Sequence, residues 1–350
     1  MYFNVVALPI PPNWHYGFHA NDKDHKTVPH TDIYKNVIAA HDRIRDHIRR
    51  TPCEKSLVLS NDSGAGVYLK CENWQATGSF KFRGATNTVL SLDGAAKARG
   101  IITASTGNHG AAVAMAGASA GVTPTVFVPE NCSPTKLNNM ELLGAKIEKV
   151  KGDAYAAEQA AIEAAKTRGM DYISPYNDMR VMSGQGTIAI ELLEDIDGLD
   201  AVFVAVGGGG LIAGIAGYLH NAAPNVEIVG CWPKNAPAMH ACIEAGKVID
   251  VAEEPTLSDG TAGGVEPSSI TFEPCRDLIT RHVLVEENEI VEAMKGLASN
   301  DRMMVEGAAG VALAAFTQVA ADYKGKKVAI ILCGRNIALD KYLSIVSTDE

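Results

Sequence analysis

The chain has 350 residues, 47% of them apolar and 21% charged, enough to bury one large or two packed α/β units and too apolar for disorder. A formal net charge of −10 without any basic stripe excludes a nucleic-acid binder, because phosphate contacts need clustered Lys and Arg. Cys53, Cys71, Cys132, Cys231, Cys242, Cys275 and Cys333 include no CxxC pair, so they read as reduced thiols of a cytoplasmic protein. No uncharged apolar stretch approaches the length of a membrane span.

Residues 1–31 read as an N-terminal arm. Its start, MYFNVVALPIPPNW, lacks a basic region and is broken by prolines, unlike a signal peptide. His15, His19, His25 and His30 show no periodicity that would fix them as metal ligands. Apolar spacing then predicts a helix from about Asp32 to Arg50, stopped by Thr51-Pro52. A strand at Val67–Cys71 leads through the loop Asn73–Lys81 into a helix reaching about Leu92. Alternation follows: strand Gly100–Ala104, loop Ser105–Gly110, small-residue helix Ala111–Ala120, strand Thr125–Val128 and helix Ser133–Leu143. Strand Lys146–Val150, helix Ala154–Arg168, a loop at Ser174–Met182 and helix Ser183–Leu193 continue the pattern. Strand Ala201–Val206 enters helix Leu211–Ala222 through Gly207–Gly210, and strand Glu227–Cys231 follows. A small-residue helix, Val305–Ala320, and a buried strand, Val328–Leu332, close the series. Strands this apolar, alternating with helices, imply an α/β fold of two lobes, each a mostly parallel sheet flanked by helices, with a cleft between them.

Three segments carry chemistry. Gly207-Gly208-Gly209-Gly210-Leu211 follows a strand and opens a helix, where successive backbone N–H groups and the helix dipole favour a phosphate over a plain tight turn. The spacing is not the G-x-G-x-x-G of a dinucleotide fold, nor a P-loop. Lys81, between Phe80 and Phe82 at a helix start, is either a desolvated nucleophilic amine or a lysine whose stem lies on aromatics. Ser105-Thr106-Gly107-Asn108-His109-Gly110, between strand and helix, either holds a carboxylate or is an ordinary N-cap.

SFKFRGA, then STGNHG, then GGGGLIAG in this order closely resemble the threonine and serine dehydratase branch of the fold-type II pyridoxal-phosphate enzymes, which includes serine racemase and has a tryptophan-synthase-β-like fold. The resemblance runs from about Asp32 to about Lys341. It implies a large cofactor-binding domain from 32–97 and 178–350, a small domain at 98–177, a homodimer, and pyridoxal 5'-phosphate as cofactor. Lys81 would be the Schiff-base lysine and proton carrier, Phe80 would lie against the pyridine ring, and Asn108 would bond the phenolic oxygen. Ser105, Thr106, Gly107, Asn108 and His109 would grip the substrate carboxylate, with Ser105 and Thr106 counted among the catalytic residues. Gly207, Gly208, Gly209, Gly210 and Leu211 would cradle the phosphate, Cys333 would face the ring nitrogen, and Glu306 would lie close to the ring. The implied reaction is elimination of water from a β-hydroxy amino acid such as threonine, serine or a larger homologue, giving a 2-oxo acid and ammonia.

Three positions depart from the pattern. Trp232 and Ala238 stand where relatives need oxygen ligands for a divalent cation, so no metal is expected there. Thr106 stands where serine racemase carries a second-face serine, which keeps racemisation as the alternative reaction. CGRN replaces SGGN, putting Cys333 at the ring nitrogen and Arg335 nearby as a source of positive charge. The short tail after CGRN leaves no room for a regulatory domain. A third reading, a non-catalytic phosphate-ligand-binding protein, uses the glycine loop and gives Lys81 no role. The loop Ser258–Val265, richer in glycine than its counterparts, hints at a substrate larger than serine.

Overall fold

The computed structural model describes residues 29–347. The expected arm therefore lies outside the described residues, with His15, His19 and His25; only its last residues are seen. Ten strands form two sheets: β1 (Cys53–Lys55), β2 (Gly66–Lys70), β3 (Ile101–Ala104), β4 (Pro124–Pro129), β5 (Lys146–Val150), β6 (Asp171–Tyr172), β7 (Ala201–Ala205), β8 (Glu227–Pro233), β9 (Arg281–Val285) and β10 (Lys327–Ile331). The first half of the chain supplies α1 (His30–Ile44), α2 (Leu57–Ser63), α3 (Lys81–Ser91), α4 (Gly94–Arg99), α5 (Asn108–Ser119), α6 (Pro134–Leu142) and α7 (Ala154–Arg168). The second supplies α8 (Met179–Asp195), α9 (Gly210–Ala222), α10 (Ala238–Ala245), α11 (Phe272–Leu278), α12 (Glu287–Asn300), α13 (Gly307–Val319) and α14 (Leu339–Val346).

The larger sheet runs β1-β2-β10-β7-β8-β9 and the smaller β5-β4-β3-β6. Every pairing is parallel except β1 with β2. All four strands of the smaller sheet lie in sequence between β2 and β7. Every residue of β4 and β7 is buried, as parallel strands covered on both faces require. No helix among the described residues is long and apolar enough to cross a membrane.

Helix boundaries differ from expectation at several places, two of them in α1 and α8. Helix α1 ends at Ile44, and the remainder to Arg50 is turn and coil. Helix α8 begins at Met179, capped by Asp178, whose side chain accepts from the Arg180 N–H at 2.7 Å. Residues Met179–Met182 are thus helical rather than loop. Ser183 resembles a cap in sequence, but its hydroxyl donates back to the Met179 carbonyl at 2.6 Å inside the helix.

Glycines let three helices touch by their backbones. A Cβ on Gly184 of α8 would lie 2.6 Å from the Cα of Gly84 in α3, and one on Gly186 would lie 2.6 Å from the Gly214 carbonyl oxygen in α9. Helix α3 starts with Lys81 and α9 starts at the glycine loop, so α8 ties the two directly.

Candidate active site

Four strands, β2, β3, β7 and β10, lead at their carboxyl ends into the predicted residues, the place where open parallel sheets bind ligands. The segment before α3 runs against the one leaving β10: Ser79 bridges Gly334, and the Phe80 N–H donates to the Cys333 carbonyl at 3.1 Å. This pins the entry to α3. Lys81 Nζ then donates to the Pro175 carbonyl at 2.8 Å and stands 5.1 Å from the Phe80 ring centroid. Burial pulls its pKa down to about 8, against the upward pull of Cys333 and Glu306.

Asn108 carries the smaller sheet's contribution across to the larger. Its Nδ2 donates to Glu306 Oε1 at 2.8 Å, while the Asn336 N–H donates to Glu306 Oε2 at 3.0 Å. Asn336 Nδ2 donates to Asn108 Oδ1 at 2.5 Å and to the Thr77 carbonyl at 2.9 Å. Gly334 lies flat on the carboxyl: a Cβ there would be 2.6 Å from Glu306 Oε1. Burial raises Glu306 to about 7, opposed by the Asn108 hydrogen bond. The Cys333 thiol is pushed well up by burial and then by Glu306, so it is neutral. Arg335, expected to charge this corner, has an exposed side chain.

The raised carboxyl makes a prediction of defined sign. Folding favours protonated Glu306, so its contribution to apo-protein stability is complete below about pH 4.5 and is lost as pH rises through about 7. Denaturant unfolding of the wild type and E306Q should therefore diverge between those pH values, by about 1.4 kcal/mol for each pH unit crossed. Parallel profiles would show that the carboxyl ionises normally.

The glycine loop is shaped by what presses on it. A Cβ on Gly208 would meet the Tyr176 ring at 2.5 Å, and one on Gly210 would meet Tyr176 Cβ at 2.9 Å. Gly207 abuts the Thr261 backbone, and Gly209, the residue before α9, has φ +85°, in the left-handed region that favours glycine. The Thr271 hydroxyl donates to the Gly208 carbonyl at 2.6 Å. Pro175 and Tyr176 are consecutive, so one short segment touches both Lys81 and the loop. G208A should force the ring or the loop aside and weaken cofactor affinity about 10-fold or more, read by fluorescence titration of the apo-protein.

Ser105 and Thr106 sit half-buried at the head of α5, and Ser105 Oγ accepts from the Gly107 N–H at 3.2 Å. Helix α5 begins at Asn108, earlier than expected, which places the Asn108, His109 and Gly110 amides in its unbonded first turn. The His109 ring points elsewhere. Its Nε2 is 2.9 Å from the Ile173 carbonyl, and burial drops its pKa to about 3. The ring is thus neutral with the proton on Nε2, and its share in holding an anion falls to its backbone N–H.

Arg83 lies in the SFKFRGA motif but has no expected role. It is wholly buried, with Nε donating to Glu72 Oε2 at 2.8 Å and Nη1 to Glu191 Oε1 at 2.6 Å. Its Nη2 donates to Glu72 Oε1 at 2.7 Å and to Glu191 Oε2 at 2.8 Å. Lys70, also buried, pairs with Glu191 at 2.6 Å and donates to the Thr51 carbonyl at 2.8 Å. Two cations thus face two carboxylates, and Arg83 is only two residues along α3 from Lys81. Tyr176, Asn336 and Pro175 are the other residues whose part the sequence did not assign.

A desolvated amine, a glycine loop at a helix N-terminus touched by the same Pro175-Tyr176 segment, and a buried, unpartnered Ser79 Oγ together define a lysine-dependent aldehyde-cofactor enzyme. The residues present fit pyridoxal phosphate. The chain belongs to the pyridoxal-phosphate dependent enzyme family, whose model matches residues 44–334. It is 40% identical over 314 residues to an L-threonine ammonia-lyase of Geobacter sulfurreducens, covering 89% of this chain and 77% of that one. It is 35% identical over 308 residues to a beta-hydroxyaspartate dehydratase of Paracoccus denitrificans, covering 88% and 97%. Maize serine racemase superposes with a TM-score of 0.84 at 31% identity, covering 89% of this chain and 95% of that one.

Proposed function

We propose that the protein is a dehydratase, or ammonia-lyase, of β-hydroxy amino acids. One observation carries this reading: Lys81, an amine lowered to about 8, touches the Pro175-Tyr176 segment that covers the glycine loop and feels two groups, Cys333 and Glu306, that are neutral or half-neutral near pH 7. Bound pyridoxal phosphate supplies the aldehyde and the electron sink. Lys81 Nζ takes the proton from the substrate Cα, and the β-hydroxyl departs with a proton as water. The enamine released takes up water and loses ammonia to give the 2-oxo acid. The α5 amides and Ser105 hold the substrate carboxylate, while the Asn108 side chain is fixed by Glu306. A neutral thiol at Cys333 does not enforce protonation of a ring nitrogen, which suits prompt elimination over transamination.

The similarity to serine racemase, with Thr106 at the head of α5, favours racemisation as the second reading. Threonine, serine, 3-hydroxyaspartate and phenylserine, each as separate stereoisomers, are the substrates to try. We expect ammonia and 2-oxo acid from at least one of them, and chiral chromatography to show little D-enantiomer. Interconversion without ammonia would replace the dehydratase by the racemase, and inertness to the whole panel would sink both. Cysteines that are all free, together with the family, support a homodimer in a reducing, cytoplasmic setting. The smaller sheet, β3 to β6, lies wholly within 98–177, which supports a division into a cofactor domain of 32–97 and 178–350 and a small domain of 98–177.

A further inference from the structure

Away from Lys81, the outer end of the larger sheet gathers three ligating side chains. His240 and Glu244 lie one turn apart on α10, spacing that puts both on one helical face. His282 comes from edge strand β9, opposite Gly230 of β8. One ligand atom from each of the three lies within 4.8 Å of the others. The His240 and His282 rings are 5.2 Å apart at 70°.

The floor is built for these rings. Trp232, on the same face of β8 as Gly230, is fully buried, and its indole leans over Gly230, where a Cβ would collide with it. Its centroid is 5.4 Å from His240 and 5.2 Å from His282. Two half-buried imidazoles thus stand side by side on an apolar base, with an exposed carboxylate beside them. Burial lowers both histidine pKa values, His282 further because His240 faces it, while Glu244 acts in the opposite direction on each.

We infer that His240, Glu244 and His282 form a binding site for a divalent d-block cation of the zinc, cobalt or nickel type. Two imidazoles and a carboxylate suit these metals and not magnesium or calcium, which take oxygen ligands. Tetrahedral ligands at about 2.0–2.1 Å stand roughly 3.3 Å apart, so the set has to contract around the ion. Glu244, exposed at the end of a short helix, has the freedom to do so. The open side leaves a position for water. Met239, next to His240, packs under Gly209: a Cβ on Gly209 would be 3.1 Å from its Cε. An ion here therefore braces the helix on which the phosphate loop rests.

The test uses untagged, chelator-treated holoenzyme titrated with cobalt(II) and zinc(II). Cobalt should give visible ligand-field absorption and saturable quenching of tryptophan fluorescence, and zinc should raise the thermal midpoint. H240A/H282A should weaken binding by more than about 100-fold, beyond the 10- to 100-fold loss typical of removing an outer partner of a ligand. E244Q, on an exposed residue, should weaken it less without disturbing the fold. W232F should keep the affinity and lose most of the quenching. Unchanged binding in H240A/H282A would overturn the assignment and move the metal to other donors, such as His15, His19 and His25. Absence of binding by the wild type would overturn it too.

Discussion

K81A is expected to lose the visible chromophore and to turn over at least about 10³-fold more slowly, because nucleophile and proton carrier go together. The magnitude follows from the amine's setting. With a pKa of about 8, roughly a quarter of Lys81 is neutral at pH 7.5, against about one molecule in a thousand for an exposed lysine. Only the neutral amine attacks an aldehyde. K81R should therefore fail as completely as K81A, since a guanidinium keeps its proton at any working pH. Absorbance, borohydride labelling and kcat on the best substrate of the panel decide it. A K81A protein that stays coloured and keeps more than a tenth of wild-type kcat would remove the foundation of the proposed chemistry.

R83M should destabilise the fold by about 3–5 kcal/mol, the usual consequence of withdrawing one partner from a buried ion network. Glu72 would then keep only the Thr51 hydroxyl and no cation, and Glu191 would keep only Lys70, in a setting almost free of water. In the intact protein, burial pushes Glu191 up, yet Arg83 and Lys70 outweigh it and hold the carboxyl below its ordinary range. Urea unfolding of R83M measures the loss. R83M/E72Q/E191Q separates the causes: if stranded charge is the damage, the triple variant should recover a good part of the stability. A change under about 1 kcal/mol in R83M would mean that the network contributes little. Because Arg83 belongs to α3, the variant should also hold cofactor less tightly.

The parts of this molecule that announce themselves locally were readable in the sequence. Strands such as Ala201–Ala205 are apolar throughout, and the glycine loop and Lys81 each sit where a strand or loop passes into a helix. What escaped depends on distant partners. Strands β1 and β9 are short edge pieces with charged residues, and their pairing supplies what their sequences lack. Tyr176 gave no sign of its role, because the reason for Gly208 and Gly210 lies more than thirty residues away in the ring that covers them. Arg83 had no expected role; its burial becomes intelligible only when Glu72, Glu191 and Lys70 arrive from three other elements. His109 was expected among the residues gripping a carboxylate; its ring instead meets the Ile173 carbonyl, a partner its own segment does not announce.

The direct contact of α3, α8 and α9 through Gly84, Gly184, Gly186 and Gly214 bears on how a ligand is captured. The amine and the glycine loop, remote in the chain, are welded into one block as the polypeptide folds. Their relative freedom is therefore already spent before any ligand arrives, and binding need not organise them. Bulky replacements at these four glycines should register first as slack in the grip on the cofactor, ahead of any change in how substrates are told apart.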